Sequence, residues 1–215
     1  MSPRPATVFL RLALRRAARG TGSSRDFYRQ RTAVQILPDL HTILAGIRWV
    51  LVGGMALRAY MPERMTLDID ILVHERDSTV VQQALLTAGY SVMAQLSIGG
   101  FTMRPLVISQ RSIDVLTRTD PWLDSALDAP TYDQAGYPVL GRPYLLLLKL
   151  QAGRAQDLAD IQRLLGMTPH HQRQPIRDLV AQYSPEFLED YDALLTLADL
   201  EFGPPIDPAN EEDAH

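Results

Sequence analysis

Residues 66–73 read Thr-Leu-Asp-Ile-Asp-Ile-Leu-Val, apolar and acidic side chains alternating with a period of two. Successive side chains of a β-strand point to opposite faces. The run therefore predicts a strand carrying Leu67, Ile69 and Ile71 on one face and Asp68 and Asp70 together on the other. Two carboxylates held that close repel unless a cation lies between them. An arginine could supply the charge, and so could a divalent metal. Hard carboxylate oxygens suit Mg²⁺, which takes one or two of them and completes its shell with water and substrate phosphate.

The flanking segments extend this reading. Residues 48–52 form a buried strand in pattern, closed by Gly53-Gly54 and followed by a short helix over 55–60. Glycines at such a junction let a phosphate approach the backbone, and the helix start offers N–H groups and the positive end of its dipole. Alone, the pair is equally a tight turn. Thirteen residues separate Gly54 from Asp68, so a phosphate cradle and a cation site would face each other across one hairpin-like unit. Downstream, a helix capped by Asp77 or Ser78 runs to about Ala88 and stops at Gly89. Strand-like runs follow at 91–96 and 106–117, with Gly99-Gly100 between them. The second ends Ser112-Ile113-Asp114-Val115-Leu116, a single acid among apolar neighbours. One further carboxylate is what a two-metal phosphoryl- or nucleotidyl-transfer site needs, to bind the ion that activates the incoming hydroxyl. Taken singly, each acid is equally a solvated outward residue of its strand.

After a loop rich in Asp and Pro and a short strand near 137–140, the pattern turns helical over 144–165, 176–183 and 185–202. The predicted fold is α/β (α+β): a small mixed sheet followed by a C-terminal helical subdomain. Four segments are expected: a basic flexible arm over 1–25, a core over 26–142, helices over 143–202 and an acidic disordered tail over 203–215. The core would open with two helical pieces broken at Pro38. The arm holds six arginines and no acid, the last fifteen residues five acids and no base, and the stretch between 15 basic and 20 acidic residues. A mildly acidic body argues against wide, non-specific phosphate binding but leaves a basic arm possible. With no cysteine, disulfides, thiol catalysis and Cys-based metal sites are excluded. The longest apolar runs, such as Leu145 to Leu148, are far below the roughly 20 residues a membrane-spanning helix needs, so none is expected, and without a secretory signal the protein reads as intracellular and cytoplasmic. The five histidines read as surface residues.

Twenty of the 21 basic residues are arginine; the exception is Lys149. Arginine replaces lysine freely on a solvated surface but not where a compact ammonium is needed. Read as one helix at about 100° per residue, Lys149, Asp160, Asp157 and Arg154 fall at about 0°, 20°, 80° and 140°. Leu150 and Ile161 share that face, so the polar groups should be partly buried. The plain alternative is an Arg154–Asp157 pair on a surface helix.

Val52-Gly53-Gly54, then Asp68-Ile69-Asp70, then Ile113-Asp114-Val115 resemble, in that order over residues 48–117, the signature of the nucleotidyltransferase superfamily typified by DNA polymerase beta. Lys149, Arg154, Asp157 and Asp160 are similar to the Lys-x4-Arg-x2-Asp-x2-Asp helix of the abortive-infection and toxin–antitoxin nucleotidyltransferases. Met55 follows Gly54 where many relatives carry Gly-Ser, so one phosphate-facing hydroxyl is absent. The resemblance implies transfer of a nucleoside monophosphate from a nucleoside triphosphate, such as ATP, to an acceptor, with release of pyrophosphate. It implies that Asp68, Asp70 and Asp114 are catalytic and bind two Mg²⁺ ions, and that Gly53 and Gly54 hold the triphosphate. Lys149 would neutralise its charge, with Arg154 and Asp157 shaping the nucleotide pocket. It further implies an RNA acceptor, transfer RNA first, and an antitoxin protein as partner. A small-molecule or protein acceptor is the alternative within the enzymes, and a catalytically silent nucleotide-binding module the alternative outside them.

Overall fold

A computed structural model describes residues 38–62, 66, 68–107 and 111–203. The basic arm, the first predicted helical piece and the tail beyond Gly203 lie outside the described residues. The described chain divides into two compact units, 38–141 and 142–203.

The first unit is built on a sheet. A short helix, α1 (Leu40–Ile43), precedes β1 (Trp49–Leu51), a 3₁₀ turn (Met55–Ala59), β2 (Ile69–His74) and α2 (Ser78–Thr87). Then come β3 (Tyr90–Gln95), β4 (Gly100–Pro105), β5 (Ile113–Arg118), α3 (Leu123–Asp128), β6 (Thr131–Tyr132) and β7 (Pro138–Val139). The seven strands lie in the order β3-β4-β5-β2-β1-β7-β6. β2 runs parallel to β5 and β1 to β7, while the other pairs are antiparallel, so the sheet is mixed as expected.

The alternation in β2 does what its pattern demands. Ile69, Ile71 and Val73 are fully buried, and so are Ile113 and Val115 beside them, whereas Asp70 and Asp114 on the other face are half-buried. Burying each such aliphatic side chain stabilises by about 1.5–3 kcal/mol, which sets the register and leaves the acids facing outward.

Three elements differ from expectation. The strand expected over 106–117 begins only at Ile113, and its antiparallel partner is β4, built from Gly100 onward. A Cβ at Gly100 would overlap the Val115 carbonyl oxygen, so glycine here permits close strand approach rather than marking a loop. The predicted helix over 55–60 is a five-residue 3₁₀ turn, Met55–Ala59, with Pro62 soon after it to stop the helix going further. The segment expected as an Asp- and Pro-rich loop contains α3 and β6, with Trp122, Leu123 and Ala126 buried.

The second unit is helical: α4 (Arg142–Ala152), α5 (Ala155–Gly166), α6 (His170–Tyr183) and α7 (Leu188–Phe202). The single helix predicted over 144–165 is broken. Gly153 takes φ +62° and donates its N–H to Lys149 O, ending α4. Arg154 is extended and accepts from Leu158 N–H, starting α5. Arg173, almost wholly buried, closes the C-terminal end of α5 through Leu165 O and Thr168 O and pairs with Asp199 of α7. Burial pushes the Tyr191 hydroxyl's pKa far up, and that hydroxyl donates to Arg173 O. No helix among the described residues is long and apolar enough to cross a membrane.

Candidate functional site

Asp70 is the second residue of β2, and its carbonyl accepts from Val52 N–H at 2.9 Å. That bond sets the end of β1 beside it, so the chain must leave β1 through residue 53. Gly53 makes the exit with φ +61°, and a Cβ there would overlap Asp70 Oδ2. Only glycine tolerates both the left-handed backbone and the carboxylate in that space. Gly54 is buried and caps the 3₁₀ turn in right-handed conformation. The turn is too short to build the dipole expected of an α-helix start.

Asp114 is the register partner of Asp70 in the parallel β2–β5 pair, so both carboxylates stand on one sheet face. On its other side Asp114 faces Thr102 of β4, which donates Oγ1–H to Asp114 Oδ1 at 2.7 Å. Asp68 stands one residue ahead of β2, exposed and in a bend. Its carbonyl accepts from Thr66 Oγ1 at 3.5 Å, and Arg111 Nη1 donates to Thr66 O at 3.0 Å. The expected site residues of this unit thus fall into a group of Gly53, Asp70 and Asp114, with Gly54 and Asp68 flanking it.

Among the described residues no three Asp, Glu or His side chains are gathered closely enough to hold a metal ion. The donors of this group nevertheless suit a hard divalent cation. Two carboxylates in register share one face, and the glycine at residue 53 gives the Asp70 carboxylate the space that a side chain there would take.

The second group lies within the helical unit. Lys149 is 4% exposed, and its ammonium donates to Asp157 Oδ1 at 3.2 Å and Asp160 Oδ2 at 2.8 Å. Arg154, 75% exposed, donates from Nε to Asp157 Oδ2 at 2.6 Å. Burial pushes the Asp157 carboxyl up, but the Arg154 hydrogen bond and the Lys149 charge outweigh it and hold it below the usual carboxylate range. The four residues converge as expected, by another route. They meet across the α4–α5 hairpin rather than along one helix face. Both sequence readings hold in part: the cluster is buried, and the Arg154–Asp157 pair at i,i+3 exists. Asp160, quoted in the motif but not among the expected site residues, is the nearer partner of Lys149.

Thr102 went unforeseen, since nothing local marks a threonine as the neighbour of an acid twelve residues away. The structure also joins Arg58 to Asp133 in a buried ion pair, with Asp133 accepting from Ala135 N–H and Tyr137 N–H at 2.9 Å each. This cluster ties the 3₁₀ turn to the loop before β7.

The sequence matches the family model described as AbiEii, nucleotidyl transferase toxin of type IV toxin–antitoxin systems, over residues 35–213. No curated protein matches the sequence. Among solved structures, the fold is similar to ANT(2″)-Ia in complex with adenylyl-2″-tobramycin, at 19% identity and TM-score 0.44, covering 73% of this chain and 94% of that one. It is also similar to the lincosamide antibiotic adenylyltransferase LnuA with lincomycin bound, at 18% identity and TM-score 0.45, covering 60% of this chain and 92% of that one.

Proposed function

The chain belongs to the AbiEii nucleotidyl transferase toxin family, and from that premise we propose that it moves a nucleoside monophosphate from a nucleoside triphosphate to RNA, transfer RNA first. The observation that supports the reading is the group at the end of β1 and the start of β2: Asp70 in register with Asp114, and Gly53 without the Cβ that would displace Asp70.

Asp68, Asp70 and Asp114 would hold two Mg²⁺ ions, which when bound neutralise the triphosphate and acidify the attacking hydroxyl. By the family resemblance, Asp68 and Asp70 would hold both ions and Asp114 would hold the catalytic one. The acceptor oxygen forms a bond to the α-phosphorus, the bond from that phosphorus to the bridging oxygen breaks, and pyrophosphate leaves. The hydroxyl proton passes to Asp114. Gly53 and Gly54 bring backbone close to the triphosphate. The family motif also assigns Lys149, Arg154 and Asp157 to the nucleotide; within the helical unit they form one cluster, Lys149 held between two acids and the Arg154 guanidinium at the surface. The type IV family description supports an antitoxin protein as the partner that limits the enzyme's effect.

The test is incubation with each α-labelled nucleoside triphosphate, Mg²⁺ and unfractionated transfer RNA. Label should join the RNA, and Asp70→Asn and Asp114→Asn should each abolish incorporation while circular dichroism stays unchanged. Incorporation by both variants at the wild-type rate would overturn the assignment of the acids. Label that joins only protein or small molecules would overturn the RNA acceptor alone.

A further inference from the structure

We propose that Thr102 is a positioning residue of this site, whose hydroxyl fixes the rotation of the Asp114 carboxylate and so decides which oxygen is presented to a bound cation. The inference rests on the reading of Asp70 and Asp114 as cation-holding acids. Its own basis is geometric. Thr102, Asp114 and Asp70 form one register row across β4, β5 and β2, so all three side chains stand on the same sheet face.

β4 is an interior strand, paired to β3 on one side and β5 on the other, and Gly100 two residues earlier lets its backbone approach β5. The β-branched side chain of Thr102 has a restricted χ1, so the hydroxyl is carried on a stiff support. It has one proton to donate. That proton goes to Asp114 Oδ1 at 2.7 Å, within the range of a hydrogen bond to a charged oxygen. A carboxylate held at one oxygen cannot turn freely about its Cβ–Cγ bond. Oδ2 is then offered in a constant direction toward the face it shares with Asp70, and no conformational freedom is lost when the cation arrives. A carboxylate without that support would have to be ordered on binding.

Thr102→Val keeps the shape and the strand preference and removes the donor; Thr102→Ser keeps the donor. Mn²⁺ titrated into the full-length protein without nucleotide, followed by electron paramagnetic resonance, reads cation affinity directly. Loss of a partner that orients a metal ligand typically costs about 10–100-fold. Thr102→Val should therefore bind Mn²⁺ about 10-fold more weakly, and Thr102→Ser should bind within about threefold of wild type. In the transfer assay Thr102→Val should lower kcat with little change in KM for the nucleoside triphosphate, and serine should restore it. Wild-type affinity in the valine variant overturns the proposal, and so does equal weakening by serine and valine. A wild-type protein that binds no Mn²⁺ and transfers no nucleotide overturns the underlying reading instead. Thr102→Ala serves as a second donor-free variant should the valine protein fail to fold.

Discussion

A Cβ at position 53 would overlap Asp70 Oδ2 on a backbone at φ +61°, so alanine is disfavoured there for two separate reasons. The left-handed conformation costs a residue with a Cβ about 1–2 kcal/mol, and the overlap must in addition push the Asp70 carboxylate aside. Gly46 separates the two effects, since it has φ +79° and open space where its Cβ would go. Gly46→Ala and Gly53→Ala should both melt lower. Only Gly53→Ala should also slow nucleotide transfer, by about 100-fold if Asp70 moves by about an ångström. Equal rates for the two variants would remove Gly53 from the site. Asp157 permits a second measurement at this scale. Its folded pKa lies below the usual value, held there against burial by Arg154 and Lys149. A lowered folded pKa contributes stability that is present above the unfolded value of about 3.9 and is lost as pH falls through the folded value. The stability gap between wild type and Asp157→Asn in urea should therefore be constant from about pH 7 to about 5 and shrink below about 4. A gap that stays flat to about pH 3 would contradict the shift.

At the scale of elements, the α4–α5 hairpin shows how a local break can serve a buried cluster. Gly153 ends one helix and Arg154 begins the next, which brings Lys149 on α4 against Asp157 and Asp160 on α5. Asp157 lies in the first turn of α5, where the helix dipole favours an anion. Removing one partner of a buried charge pair leaves uncompensated charge in a poorly solvated place and costs about 3–5 kcal/mol. Lys149→Met should be destabilised by about that much, read as a lower urea midpoint. Lys149→Arg should not restore it, because a planar guanidinium cannot replace a compact ammonium between two carboxylates. Full stability in the methionine variant would mean the cluster contributes nothing to the hairpin, and full stability in the arginine variant would mean a guanidinium serves there as well. The β4–β5 pair makes the complementary point, since a glycine that reads as a turn signal in sequence is here the residue that lets two strand backbones meet.

Across the whole molecule, charge is segregated along the chain, and this is where the RNA acceptor is best tested. Deleting residues 1–25 removes six arginines and no acid, taking the formal charge from −4 to −10. The truncated enzyme should still bind nucleoside triphosphate but transfer poorly to RNA. The salt dependence of its RNA binding should become shallower, the slope of log K against log salt falling by about 0.7 for each phosphate the arm had neutralised. An unchanged slope would exclude the arm from acceptor binding. Much of the fold was legible because its signals are local. Alternation buried Ile69 and Ile71 and turned Asp70 outward, and Gly89 closed α2 as expected, whereas Asp77 at its start makes no side-chain capping bond. The break at Gly153 was not legible, since an isolated glycine inside a helical pattern is compatible with a continuous helix. By itself the sequence determined which residues alternate, which types carry charge and in what order the site's parts occur. The tertiary structure alone decided that Asp114 lies beside Asp70, that Thr102 lies beside Asp114 and that Lys149 is enclosed by two acids. Period and capping are set by bonds within a few residues, whereas strand register and helix pairing follow from burying apolar faces contributed by segments far apart in the chain.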